Sequence, residues 1–342
     1  MTLAQPTGSR TAGHVLADAR AVIEPAHRAV IDTLPAEVRR VAGYHSGWWE
    51  ADGRGRAATG KSIRPAFALA SARAAGGVQA AAIPAGVAVE LVHDFSLLHD
   101  DVMDGDLTRR HRSTAWVLFG VGQAILVGDV LLTLATEQAC LLPGGTGTVK
   151  VLTGAVLELC DGQWWDLAFE DRSEVTLAEC VRSAEGKTAA LLGAACQLGA
   201  IAGGATTVQA ARYRMFGRHL GVAFQLIDDL LGIWGDPHLT GKPAGSDLAA
   251  RKKSLPVVAA LTSGTQAGRH LAWIYGRDEN LDEQRVAHIA ELIDAAGGRA
   301  WAHQEAARRL EEAFACLDSA SPDQSAVADL RLLASLITSR DH

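Results

Sequence analysis

The feature that most constrains this chain is an apolar helical stretch that ends in acid. Between Ala85 and Asp104, residues Val87, Leu91, Leu98 and Val102 recur at helical spacing, which predicts an amphipathic helix with one buried stripe. His93, Leu97, Asp100, Asp101 and Asp104, at offsets of 4, 7, 8 and 11, share another face. The carboxylates of Asp100 and Asp104 then stand one turn apart and repel, at a cost of roughly a few tenths of a kcal/mol. That arrangement asks for a cation between them. Arg109 and Arg110 follow just past Gly105, a natural helix stop.

A second apolar helix, Val208 to Trp234, also closes on an Asp-Asp pair, 128 positions later. Gln225, Asp228, Asp229 and Gly232 share a face there, at offsets of 3, 4 and 7. Taken alone, Asp100, Asp101 and Asp104 read as a solvated helix end. Two acidic clusters on two otherwise apolar helices read as a site for hard divalent cations. Magnesium keeps several waters and takes one or two protein carboxylates together with substrate phosphates. The site therefore implies a phosphate-rich ligand. Bases to hold it are present in Lys61, Arg64, Arg109, Arg110, Lys187, Lys242, Lys252 and Lys253.

Composition sets the frame. With 342 residues, 48% of them hydrophobic, the chain can bury a large core. A net charge of −7 argues against a general affinity for nucleic acid. The five cysteines lack the close spacing of a zinc or redox motif and are expected to be reduced and buried in a cytoplasmic protein. The first twenty residues hold no apolar run of signal-peptide length. The most apolar stretch, Val117 to Thr136, contains Gln123 and Asp129 and is expected to be a buried helix, not a transmembrane segment.

Along the chain, residues 1–12 are expected to be a loose N-terminal segment and residues 13–342 one domain. Leu16 to Arg39 is expected to be helical with breaks near Pro25 and Pro35, and His45 to Lys61 a loop. Ile63 to Ala75, Ala85 to Asp104, Val117 to Leu142, Thr148 to Phe169, Leu177 to Gly203 and Val208 to Trp234 are expected as helices. Gly235 to Lys253 follows as a loop, then helices at Leu255 to Leu261, Leu281 to Ala296 and Ala300 to Asp318. No strand-like alternation occurs. The expected fold is all-α, a single large helical bundle with its two Asp-rich helices facing a central cavity.

The chain resembles the trans-isoprenyl diphosphate synthases, or polyprenyl synthetases. That family's Gly-Lys-x-x-Arg-Pro stands as Gly60 to Pro65, and its Asp-Asp-x-x-Asp with Arg-Arg as Asp100 to Asp104 with Arg109-Arg110. Its Gly-Gln-x-x-Asp-Leu stands as Gly162 to Leu167, its Lys-Thr as Lys187-Thr188, and its Phe-Gln-x-x-Asp-Asp as Phe224 to Asp229. Gly241-Lys242 and Asp247 to Lys252 complete the set. Each motif is weak by itself; together, in order from Gly60 to Pro256, they are specific.

The resemblance implies a chain-elongating prenyltransferase. Isopentenyl diphosphate would be held by Lys61, Arg64, His93 and Arg110, and an allylic diphosphate by Arg109, Lys187, Lys242 and Lys252. Three Mg2+ would be bridged by Asp100 and Asp104 on one side and Asp228 on the other, with Asp101 and Asp229 orienting metal-bound water. Breaking the allylic C–O bond develops charge that metal and Lys/Arg stabilise on the leaving group. A dry pocket protects the carbocation, which the oxygens of Thr188 and Gln225 would stabilise. The family assigns the final proton to released diphosphate, so no side-chain base is nominated. Family habit also suggests a homodimer.

The chain departs from the family in one motif. Its second acidic motif usually ends in a third aspartate, where Gly232 stands here, with Asp236 one turn further on. Phe95, five residues before the first motif, with small Ser96 beside it, resembles the geranylgeranyl (C20) type. Farnesyl or longer products remain alternatives, as do a class I terpene cyclase and a non-catalytic partner subunit. Lys61, Arg64, His93 and Arg110 speak against a cyclase, which has no second diphosphate to bind. The intact aspartates speak against a partner subunit.

Overall fold

A computed structural model describes residues 10–56, 62–236, 244–277 and 281–338. The described chain is helical almost throughout and falls into two compact units. Unit one comprises residues 1–149, 198–206 and 322–336, and unit two residues 150–197, 207–321 and 337–342.

Unit one begins with α1 (Ala12–Ile31), whose N-terminus is closed by a Thr11–His14 capping box. Val15, Ala19, Ile23, His27 and Ile31 are buried at a strict four-residue spacing. Pro25, expected to break the helix, lies inside it. The hydrogen bond that proline lacks is outweighed by this continuous buried stripe. The other expected break is present, at Thr33 to Pro35, before α2 (Ala36–His45). Then come α3 (Ile63–Ala74) and α4 (Ile83–Met103), which pack together with Phe67, Leu69, Val87 and Leu91 at 2% exposure or less. Each such side chain stabilises the unit by about 1.5–3 kcal/mol.

The predicted helix from Val117 is split at Gly120 into α5 (Ala115–Phe119) and α6 (Val121–Cys140), and α6 packs on α4. The absence of strands is corrected by a two-residue ribbon, β1 (Thr108–Arg109) with β2 (Arg112–Ser113). No alternation could announce a ribbon this short. Helix α7 (Thr146–Asp171) begins in this unit and continues in unit two.

In unit two, α8 (Leu177–Ala184) runs through a π-turn (Glu185–Ala189) into α9 (Ala190–Ala202), so the long helix expected here changes its winding midway. Helix α10 (Thr207–Trp234) follows. The expected loop Gly235 to Lys253 contains a short helix, α11 (Ser246–Ala249), and its residues 237–243 lie outside the described chain. Then come α12 (Leu255–Leu261), α13 (Gln266–Tyr275), α14 (Glu283–Ala295), α15 (Gly298–Ser319) and α16 (Val327–Thr338). The sequence reading left α13 and α16 unassigned. Helix α10 packs on α15 over a core that includes Phe169, Val222, Leu226, Leu230 and Val258. A second core joins Ile233 and Leu248 to Val257, Leu271, Ile289 and Ile293.

The expectation for the cysteines also changes. Cys180 and Cys196 are buried, but Cys140 and Cys160 are exposed, and none of the five forms a disulfide. Trp164 is 71% exposed. Among the described residues the helical stretch Gln79–Met103, not Val117 to Thr136, is long and apolar enough to cross a membrane, and 67% of its apolar window is buried inside the molecule.

Candidate active site

In unit one, α4 ends where the sequence predicts, with Asp104 as its cap and Gly105 at φ +67°. Asp100 is 9% exposed, Asp101 1%, and Asp104 lies open. The ribbon then turns back through Arg110 and His111, both with positive φ (51° and 61°). A two-residue hairpin favours that conformation, but residues other than glycine or asparagine adopt it at a cost of about 1–3 kcal/mol each. The turn places Arg109 so that its Nε donates to Asp101 Oδ1 at 2.6 Å, with Nη2 3.7 Å from Asp106. The other oxygen of Asp101, Oδ2, is buried without a hydrogen-bond partner. Burial pushes the Asp101 carboxyl up, against the pull of Arg109.

Arg110 lines two adjoining cavities. One also contains Tyr44, His45, Asp101 and Arg109; the other contains Arg20, Ser46, Ser62, Glu90 and Asp94. His93 stands among these groups. Burial first, then Arg64, Arg110, His45 and Arg109, hold its pKa well below the ordinary value, so it is a neutral imidazole. Arg64 follows Ser62, which turns into α3 in a left-handed conformation (φ +47°). Burial lowers the Arg64 pKa, and Glu90 and Asp94 oppose that fall.

Glu90 and Asp94 are the residues that sequence reasoning missed. Burial raises the Glu90 carboxyl to about 7 and Asp94 adds to the rise, while Arg64, Arg110 and Arg20 pull it down. Burial likewise raises Asp94 to about 6, against a 2.9 Å hydrogen bond from Ser46. The signal was available, because Glu90, Asp94, Leu97 and Asp101 lie at offsets of 4, 7 and 11 on one face. Phe95 is 7% exposed and meets the His99 ring edge-on at 4.8 Å. Lys61 lies outside the described residues.

In unit two, the chemistry gathers around the π-turn. A Cβ at Gly162 would lie 2.8 Å from Ser183 O, and one at Gly186 3.0 Å from the Gly162 Cα. Only glycine lets these backbones cross so closely. The π-turn follows directly, as π-bulges often do at functional positions, and it carries Lys187 and Thr188. Lys187 Nζ meets Asp166 Oδ2 at 2.5 Å. Thr188 Oγ1 donates to Gln225 Oε1 at 2.6 Å, and Gln225 Nε2 donates to Asp229 Oδ1 at 2.8 Å. The other oxygen of Asp229 accepts the Leu255 N–H at 3.0 Å. Burial raises the Asp229 carboxyl to about 6, against the pull of Lys252 and these hydrogen bonds. Asp229 is 3% exposed, while Asp228 beside it is open to solvent.

Lys252 also belongs to this cluster. Desolvation would lower its pKa, but Asp229, Asp247, Asp166 and Asp228 together raise it. Lys253 instead donates to the Phe169 carbonyl at 2.5 Å. Asp166 was quoted in a motif but given no role; the structure sets it beside Lys187, and its charge also acts on Lys252. Lys242 lies outside the described residues.

Among the described residues, no three His, Cys, Asp or Glu side chains converge to hold a metal by themselves. Each helix end by itself suits a hard cation that keeps its waters: on α4 Asp104 reaches solvent and Asp101 Oδ2 is unpartnered, and on α10 Asp228 reaches solvent.

A family model described as polyprenyl synthetase matches residues 55–293. A (2E,6E)-farnesyl diphosphate synthase of Mycobacterium tuberculosis is 44% identical over 334 residues, covering 95% of this chain and 92% of the relative. A geranylgeranyl diphosphate synthase of the same organism is 44% identical over 335 residues, covering 96% and 93%. The crystal structure of a polyprenyl synthetase from Streptomyces coelicolor A3(2) matches with a TM-score of 0.90 at 43% identity, over 94% of this chain and 98% of that one. The chain belongs to the polyprenyl synthetase family. It is a trans-prenyltransferase of isoprenoid biosynthesis with the all-α isoprenoid synthase fold, in a family that depends on divalent metal.

Proposed function

We propose that this enzyme condenses isopentenyl diphosphate with an allylic diphosphate, head to tail, and stops at geranylgeranyl diphosphate. The observation that supports this reading best is the cluster in which Arg64, Arg110, His45 and Arg109 all act on His93, beside a cavity lined by His45, Asp101, Arg109 and Arg110. A cyclase has no use for a second diphosphate cradle.

In this reading Lys61, Arg64, His93 and Arg110 hold isopentenyl diphosphate. Arg109, Lys187, Lys242 and Lys252 hold the allylic diphosphate. Asp100, Asp104 and Asp228 hold three Mg2+, which offset the charge of the departing diphosphate. Asp101 and Asp229 steady the ends of their helices and orient water. Thr188 keeps lone pairs for the allylic cation, since its hydroxyl proton is given to Gln225. Gln225 Oε1 retains a second lone pair for the same use. Neutral His93 serves as a hydrogen-bond partner and not as a charge.

Residues 13–342 act as one catalytic domain in a cytoplasmic homodimer. Val121 (46% exposed), Ile125 (40%) and Leu126 (66%) on α6 support the dimer as apolar surface in want of a partner. Support for the C20 product is the position of Phe95, packed on His99.

The test is a turnover assay with Mg2+, labelled isopentenyl diphosphate and allylic primers of increasing length, with the products extracted and sized. A C20 diphosphate is expected, and Phe95→Ala should lengthen it. A C15 product would refute the chain-length reading alone. A terpene hydrocarbon or alcohol would refute the elongation reading.

A further inference from the structure

Gly232 lies in the interior of α10, one turn past Asp228, where no positive φ calls for glycine. Glycine weakens a helix interior, so packing must explain it. A Cβ built at this position would overlap the Asp247 carboxylate, lying 2.6 Å from Cγ and 3.1 Å from Oδ1. The volume that any side chain at position 232 would need is already filled by an acid from another segment.

That acid is held in place. Asp247 sits in α11, where the next residue, Leu248, is 0% exposed and packs in the core with Ile233 and Ile289. Gly245, with φ +72°, lies so close to Val286 that only glycine fits there. The Lys252 N–H closes the segment on the Asp247 carbonyl at 2.8 Å. A further carboxylate beside Asp228 and Asp229 calls for a counter-charge, and Lys252 supplies it among these acids. Asp236, one turn further along the sequence, lies exposed beyond the end of α10.

We infer that Asp247 supplies the third carboxylate that the second acidic motif lacks at position 232, delivered across space from α11 to the metal-facing end of α10. The inference rests on the proposed reading of the site as a metal–diphosphate centre.

Calorimetric titration of inorganic pyrophosphate into the full-length protein at fixed Mg2+ tests it. Asp247→Asn keeps the shape and removes the charge, so pyrophosphate should bind about tenfold more weakly with an unchanged Tm. Gly232→Asp alone should lower Tm by roughly 5 °C through overlap. Gly232→Asp combined with Asp247→Ala should recover both Tm and pyrophosphate affinity. A wild type that fails to bind pyrophosphate with Mg2+ would overturn the reading of the whole site and this assignment with it. A competent wild type matched by Asp247→Asn, or a double variant no better than Gly232→Asp, would overturn the assignment alone.

Discussion

The ends of α4 and α10 begin with the same Asp-Asp pair and anchor it by different means. On α4, Asp101 is buried against an arginine presented by a strained two-residue turn. On α10, Asp229 is equally buried but holds two neutral donors, the Gln225 amide and the Leu255 N–H. In both, the second aspartate ties the helix end to the segment that follows. The difference lies in what charge does. An ion pair at Asp101 leaves one oxygen unpartnered, whereas at Asp229 each oxygen accepts one neutral donor and the charge of Lys252 acts on the pair. The first acidic end is therefore the more adaptable, and the second the more rigid.

The largest expected effect separates first from second aspartates. Asp100→Ala should reduce Mg2+-dependent turnover by about 10³-fold or more, while Asp101→Asn should cost only about 10–100-fold. Steady-state rates across a Mg2+ titration measure both, and near-normal activity of Asp100→Ala would refute its ligand role. A smaller effect is expected at the rigid end. Asp229→Ala leaves the buried Leu255 N–H and the Gln225 amide without their acceptor, which should destabilise the protein by about 1–3 kcal/mol. Urea unfolding reads this directly, and an unchanged midpoint would show that Asp229 is no anchor.

The smallest effect concerns pH. Glu90 has a folded pKa near 7, above its ordinary value of 4.5. Its favourable contribution is complete below pH 4.5 and is lost as pH rises through 7, because the unfolded chain gives up the proton first. Glu90→Gln should therefore gain stability relative to wild type as pH rises from 5 to 8, by on the order of 1 kcal/mol. Thermal melts at pH 5 and 8 that shift in parallel for both proteins would show that no such cost is stored.

Much of this was legible in the sequence. The course of α4 and α10 could be read because apolar residues repeat at 3.6 and Gly105 and Gly235 punctuate them. Pro25 misled because burial of Ile23, His27 and Ile31 outweighs one missing hydrogen bond, a balance that no local rule contains. Asp94 and Glu90 could have been found by extending the Asp101 face upward by about two and three turns. Asp166 had a motif but no partner until Lys187 was seen beside it.

The sequence by itself determined the helical class, the two acidic ends and the inventory of bases, since these depend on periodicity, residue chemistry and order along one chain. Only the tertiary structure decided which charges meet. The hairpin that brings Arg109 to Asp101, the glycine crossing that sets Lys187 beside Asp166, and the approach of Asp247 to Gly232 all join residues from separate segments. Their distances follow from how helices pack, and packing answers to the volumes and backbones of neighbours that a linear reading cannot place.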